Sequence, residues 1–151
     1  MSTEDNRTQN PAHNPGHDSG HNPGHDSGHN PVGWFEIYVA NMDRAKAFYG
    51  DVVQRDFTPA PMSGGDMEMW FFAAEHGAEG AAGGLIRHPM RSPNMEGTLV
   101  YLSVDDCAAA VARATAQGSQ VIVDKQSIGE MGFIAIITDS EGNSIGLHSW
   151  T

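Results

Sequence analysis

The sequence contains a single cysteine among 151 residues, which excludes an internal disulfide. Cys107 stands among alanines in a stretch of helical character. A cysteine in such a position is typical of a small core residue rather than of a nucleophile.

Positive charge is also scarce. Eight Lys and Arg residues stand against 19 Asp and Glu residues, and the formal net charge is −11. No stretch of the chain clusters basic side chains, whereas phosphate backbones are bound mainly through Lys and Arg. We therefore expect no nucleic-acid partner.

Long apolar runs are absent as well. No run approaches the roughly 20 residues that a membrane-spanning helix needs. The first ten residues, MSTEDNRTQN, lack the apolar segment of a secretory signal. These features predict a cytoplasmic protein that makes no membrane contact.

Histidine, by contrast, is abundant near the N-terminus. The unit HNPGHDSG repeats over residues 13–30 and places a histidine at every fourth position. Pro15, Pro23 and the glycines oppose a helix, and the stretch offers no apolar side chain to bury. We predict that residues 1–31 form a disordered tail. Its five repeat histidines are His13, His17, His21, His25 and His29.

Two interpretations of this tail stay open. The histidines, with Asp18 and Asp26 as additional oxygen ligands, would recruit zinc, nickel or copper, weakly because a flexible segment must be ordered. Alternatively, the tail is a solvated repeat that binds no specific ligand.

From residue 32 onward a regular pattern predicts an α+β domain over 32–151, written as two modules. Module one (32–88) has a strand at GWFEIYV, a helix that begins after Asn41, and three further strands. A linker follows at 89–97. Module two (98–151) repeats the order, with a helix capped by Asp105 or Asp106 and ended by Gly118. Each module therefore reads β-α-β-β-β.

Three stretches make the pattern specific: WFEIYV-ANMDRAKAFY, GTLVYLSVDDCAAAVARATAQG and DSEGNSIGLHSW. With them the chain resembles the vicinal oxygen chelate superfamily of glyoxalase I, extradiol dioxygenases and bleomycin-resistance proteins, and most of all its small glyoxalase-like members. The resemblance implies two modules that form a cupped cavity for a small organic ligand, and a homodimer. The resemblance does not determine which reaction is catalysed, because the fold supports several chemistries.

The resemblance also implies four metal-ligand positions, on the first and fourth strands of each module, which usually carry His, Glu or Gln. The first-strand ligand lies seven residues before the helix-opening residue, at Trp34 and Leu99 here. The fourth-strand ligand follows a Gly-Asn turn, at Gly146, and the corresponding position in module one is Gly84. None of these side chains coordinates a metal, so we expect the standard metal site, with standard glyoxalase or ring-cleaving activity, to be absent.

Two residues further along each strand, on the same face, the positions read Glu36, Ile86, Tyr101 and His148. One hypothesis makes Glu36, Tyr101 and His148 a catalytic acid–base set. The alternative is that they hydrogen-bond one another or water, and fill the space of a lost metal.

The favoured function is binding of a small organic molecule without the family's metal. If the protein is also an enzyme, related to the lyases, isomerases and dioxygenases of this superfamily, the acid–base set would carry out the catalysis. The alternatives are sequestration of the bleomycin-resistance type and metal handling by the tail. The predicted ligand-binding residues are Trp34, Trp70, Gly84, Ile86, Leu99 and Gly146.

Overall fold

The structure is a computed structural model that describes residue 32 and residues 34–61 and 64–151. Its elements confirm the predicted β-α-β-β-β order in both modules. A single 3₁₀ turn, Gly129–Met131, was not predicted from the sequence. Module one contains β1 (Trp34–Tyr38), α1 (Met42–Val52), β2 (Phe57–Pro59), β3 (Glu68–Phe72) and β4 (Ala82–Arg87). Module two contains β5 (Val100–Ser103), α2 (Cys107–Ala116), β6 (Val121–Ser127), β7 (Phe133–Thr138) and β8 (Ser144–Ser149).

Each module folds into a mixed four-stranded sheet, in the orders β1-β4-β3-β2 and β5-β8-β7-β6. The first strand runs parallel to the fourth in both sheets, and the remaining pairs are antiparallel. The α+β class is confirmed. Strands β1 and β5 each lie at one edge of their sheet.

Both helices begin at the predicted caps. The Asn41 side chain accepts a hydrogen bond from the Arg44 amide (3.0 Å), and Asp106 rather than Asp105 accepts one from the Ala108 amide (2.8 Å). Helix α2 ends where Gly118 adopts a φ of 87°, a left-handed conformation that glycine takes without steric cost.

The main core lies between the helices and one face of each sheet. In β1, Phe35 and Ile37 pack into it, whereas Trp34, Glu36 and Tyr38 alternate to the opposite face. The largest fully buried core side chains come from both modules: Phe48, Tyr49, Leu85, Ile137, Ile145 and Leu147.

Carboxylates of the β7–β8 turn join the two modules. Buried Asp139 accepts hydrogen bonds from the Tyr49 hydroxyl (2.7 Å) and the Asn143 side-chain amide (2.8 Å). Glu141 accepts two bonds from the Arg44 guanidinium, at 2.7 and 2.9 Å, and two from the Ala40 and Asn41 amides. Module two thereby holds the residues that connect β1 to α1.

Among the described residues, no helix has both the length and the apolar character needed to span a bilayer.

Candidate functional site

A cleft of about 1210 Å³ lies between the edge strands β1 and β5. Small-molecule sites commonly measure about 300–1,000 Å³, so the cleft is large enough for an organic ligand. Trp34, Glu36 and Tyr38 line it from β1, and Tyr101 and Ser103 line it from β5.

Asn143 is part of the lining of this cleft. Its side-chain nitrogen donates to the Tyr38 carbonyl (2.9 Å), and its side-chain oxygen accepts from the Asn94 amide (2.7 Å). One buried side chain therefore holds β1, the linker and the β7–β8 turn together. Linker residues Arg91 and Asn94, and Leu99 of module two, also line the cleft.

Aromatic rings form the walls. The Trp34 indole lies edge to face with Phe71, with ring centroids 5.1 Å apart. The Tyr101 ring lies over Gly146, in the space that a β-carbon at position 146 would need. Trp34 is 42% exposed and Tyr101 is 44% exposed, so both aromatic residues remain partly accessible.

The predicted acid–base set is divided by the structure. Glu36 and Tyr101 line the same cleft, but His148 does not belong to its lining. The His148 Nε2 atom bonds to the Met131 carbonyl (2.7 Å), and its ring packs edge to face on Trp150 at 5.2 Å. A carbonyl only accepts, so this contact fixes the proton on Nε2. The catalytic role of the set stays a prediction.

Glu36 has a partner that sequence reasoning did not single out. The Tyr38 hydroxyl donates to the Glu36 carboxylate at 2.7 Å. This hydrogen bond, with partial burial, raises the pKa of the Tyr38 phenol. The signal was available in the sequence, because residues 36 and 38 share one face of a strand.

The other predicted ligand-binding residues fall in different places. Leu99 lines the cleft, and Gly84 lies opposite Glu36 in the register of β1 with β4. Trp70 lies on the helix side of its sheet, where Lys46 Nζ is 3.5 Å from its ring centroid and its indole donates to Glu68 (3.0 Å). The structure therefore places Trp70 away from the cleft, against the core.

Comparison with known proteins agrees with this geometry. Residues 32–147 match the glyoxalase/bleomycin resistance protein/dioxygenase superfamily. The chain belongs to this superfamily. The resemblance to the vicinal oxygen chelate proteins is thereby confirmed.

Among curated relatives, CFP32 of Mycobacterium bovis and Mycobacterium tuberculosis, whose name assigns it provisionally as a glyoxylase, is 31% identical over 110 residues. The match covers 72% of this chain and 40% of the relative, so the chain spans well under half the length of that protein.

Solved structures of superfamily members share the fold. TnmS3, an antibiotic-binding protein from Streptomyces sp. CB03234, is 28% identical with a TM-score of 0.55, and the match covers 81% of this chain and 97% of that one. A glyoxylase/bleomycin resistance protein/dioxygenase domain from Frankia sp. EAN1pec is 13% identical with a TM-score of 0.60, covering 80% and 97%. The second likeness supports the fold alone.

The metal that metal-dependent superfamily members bind does not fit the residues at its four positions. Trp34 and Leu99 offer only carbon and indole nitrogen, and Gly84 and Gly146 have no side chain. A β-carbon at position 84 would lie 2.8 Å from the Trp70 carbonyl oxygen, and the Tyr101 ring fills the corresponding space at Gly146. Within residues 34–61 and 64–151, no three His, Cys, Asp or Glu side chains are grouped to hold a metal ion.

The tail histidines His13, His17, His21, His25 and His29 lie outside the described residues. Their metal binding stays a prediction, as does the division of the chain at residue 31.

Proposed function

We propose that the protein binds a flat organic molecule in the cleft between β1 and β5, by stacking on aromatic rings and without the superfamily's metal. The observation that carries this proposal is the pair Trp34 and Tyr101. Both residues line the cleft, and each is more than 40% exposed. Exposed aromatic rings on a cavity wall supply large contact area with few rotatable bonds to order.

Polar groups around the rings would orient the ligand. Glu36 and Ser103 supply an acceptor and a hydroxyl, and Arg55 and Arg91 supply cationic donors to the same cleft. Since both signs of charge are present, the cleft favours a ligand with polar substituents on a largely apolar ring system.

The likeness to an antibiotic-binding relative supports ligand binding by this chain rather than catalysis. TnmS3 is described as an antibiotic-binding protein, and it is 28% identical to this chain over nearly its whole length. We extend this role to the present chain as sequestration of a small molecule, in which the ligand is held and not transformed.

Calorimetric titration of the chelator-treated full-length protein tests the proposal. The ligands are three-ring planar aromatic compounds, compared with saturated ring compounds of similar size. We expect only the flat compounds to bind, and Trp34→Ala or Tyr101→Ala to weaken binding about tenfold each.

Trp150→Ala is the matched control, because Trp150 is a more exposed tryptophan outside the cleft lining. Binding that is insensitive to Trp34 and Tyr101, or no preference for flat compounds, would contradict the proposal.

A second candidate function is acid–base catalysis by Glu36. The 2.7 Å hydrogen bond from Tyr38 favours it, because this bond orients the carboxylate at the cleft wall. Catalysis requires that Glu36→Gln abolish turnover of a bound compound while its affinity survives. If the bound compound is recovered unchanged after prolonged incubation with the unmodified protein, sequestration stands.

A further inference from the structure

A second, smaller cavity of about 590 Å³ lies on the face of the first sheet that points away from the main core, next to the cleft. We call it the methionine pocket. Its lining combines apolar and polar side chains: Glu36, Tyr38, Met67, Met69, Ile86, His88, Met90 and Arg91. The Glu36 carboxylate is bonded to the Tyr38 hydroxyl at 2.7 Å.

Strand register explains why these side chains meet. Tyr38 pairs with Ile86, and Ile86 pairs with Met69, so the three form one row across β1, β4 and β3. Their strand neighbours Leu85 and Trp70 face the helices, so the row faces away from them. Met69 and Ile86 accordingly belong to a small apolar cluster separate from the main core.

Thioethers give the pocket a distinctive surface. Methionine side chains are flexible and polarisable, and their sulfur atoms make favourable contacts with aromatic rings. Three methionines on one small cavity therefore suit an aromatic ring better than a purely aliphatic group.

The rim supplies hydrogen-bond donors. The His88 Nδ1 atom accepts a hydrogen bond from the Met90 amide at 3.1 Å. Neutral His88 consequently carries its proton on Nε2, which makes this atom a donor rather than a metal ligand.

Arg91 adds a cation beside His88. The Arg91 amide bonds to the His88 carbonyl (3.3 Å), and its guanidinium carbon lies 5.4 Å from the Tyr38 ring centroid. Across the described ranges the Arg91 guanidinium has no carboxylate partner, whereas Arg87, four residues earlier, pairs with Glu68 at 3.4 Å. Arg91 is thus able to bind an anionic group.

We propose that the methionine pocket binds an aromatic acid. The ring lies on the thioethers of Met67 and Met69, and the carboxylate accepts hydrogen bonds from Arg91 and from His88 Nε2. This site goes beyond the proposed function of the cleft, although Glu36, Tyr38 and Arg91 border both cavities.

Nuclear magnetic resonance of the full-length protein with ¹³C-labelled methionine methyl groups tests the site, with 2-naphthoate as probe. We expect the methyl signals of Met67, Met69 and Met90 to shift saturably. The uncharged 2-naphthamide should bind about tenfold more weakly, because it lacks the charge-assisted bonds to the rim.

Arg91→Gln should lower the affinity for 2-naphthoate to that for 2-naphthamide. Arg87→Gln is the matched control and should leave it unchanged. The proposal is overturned if 2-naphthoate does not bind, if it shifts none of the three methionines, or if the two arginine variants behave alike.

Trp34→Ala separates this inference from the proposed function. If that variant abolishes the 2-naphthoate shifts, the probe occupies the cleft, and the inference fails while the proposed function stands. If the methionine shifts persist in a protein whose cleft binds no flat compound, the proposed function fails and the inference stands.

Discussion

The Tyr101 ring lies directly over Gly146, and the two residues face each other in the register of β5 with β8. The resemblance to the superfamily implies a metal ligand at the position of Gly146 in its metal-dependent members. In this chain the space belongs to an aromatic ring, which gives the cleft a flat wall on its module-two side.

Gly146→Ala tests this packing. The added methyl group overlaps the ring, so we expect Tyr101 to rotate away, at a cost of about 1–3 kcal/mol in the free energy of unfolding and with weaker binding of flat ligands. Urea denaturation measures the first effect, and calorimetric titration measures the second.

The Tyr101→Ala background supplies the internal check, because without the ring Gly146→Ala should cost little. Gly50→Ala is the control elsewhere: a methyl group at this helix position meets nothing closer than the Arg55 carbonyl at 3.6 Å. We expect it to be neutral or stabilising by about 0.5–1 kcal/mol. Equal losses for Gly146→Ala with and without Tyr101 would show that the ring is not the cause.

Tyr49→Phe removes the phenol that donates to buried Asp139. The loss of a partner for a buried carboxylate predicts a destabilisation of about 1–3 kcal/mol at neutral pH. Unfolding in urea measures it, and a variant as stable as the unmodified protein would contradict the importance of this contact between the modules.

The same phenol predicts a dependence on alkaline pH. Burial, together with Asp139, raises the pKa of Tyr49 well above its ordinary value. The folded protein therefore holds this proton more tightly than the unfolded chain. The stability it contributes is complete below a pH of about 10 and is lost as the pH rises through the folded-state pKa. The difference between unmodified protein and Tyr49→Phe should shrink over that range, and a constant difference would contradict the expectation.

Glu141→Gln tests the other contact of the turn. Burial acts to raise the pKa of Glu141, but hydrogen bonds from Arg44 and from the Asn41 and Ala40 amides outweigh it and hold the pKa below its ordinary value. The stability that this provides is present above the unfolded pKa of about 4.3 and disappears as the pH falls through the folded-state pKa. The variant should therefore be less stable than the unmodified protein at pH 7 and should differ little from it at low pH.

Metal content tests the tail. If the histidine repeat binds zinc, nickel or copper, elemental analysis should find metal in the full-length protein and none after deletion of residues 1–31. If the shortened protein retained one equivalent of metal, the metal would lie in the domain. This result would contradict the expectation that the standard metal site is absent.

Much of the fold could be predicted because local rules govern it. Asn41 and Asp106 cap the helices as their side chains dictate, and Gly118 ends α2 through its left-handed conformation. Alternation along β1 places Phe35 and Ile37 on the face opposite Glu36, because successive side chains of a strand point to opposite faces.

The site was less predictable because it depends on contacts between distant segments. Trp70 was predicted to bind the ligand, but the sequence did not reveal that its side chain packs against the core, where Lys46 covers the indole. His148 forms a hydrogen bond with the Met131 carbonyl, which belongs to a 3₁₀ turn that the sequence did not predict. The conformation of the linker places Arg91 near the Tyr38 ring. The linker sequence has no periodic pattern from which this conformation could be predicted.

The most direct test of the central claim is the affinity of the full-length protein for a flat three-ring aromatic compound after chelator treatment, with and without added Zn²⁺. We predict the same dissociation constant in both conditions, and one about tenfold higher for Tyr101→Ala. Binding that requires the metal, or that is unaffected by loss of the Tyr101 ring, would contradict a metal-independent aromatic cleft.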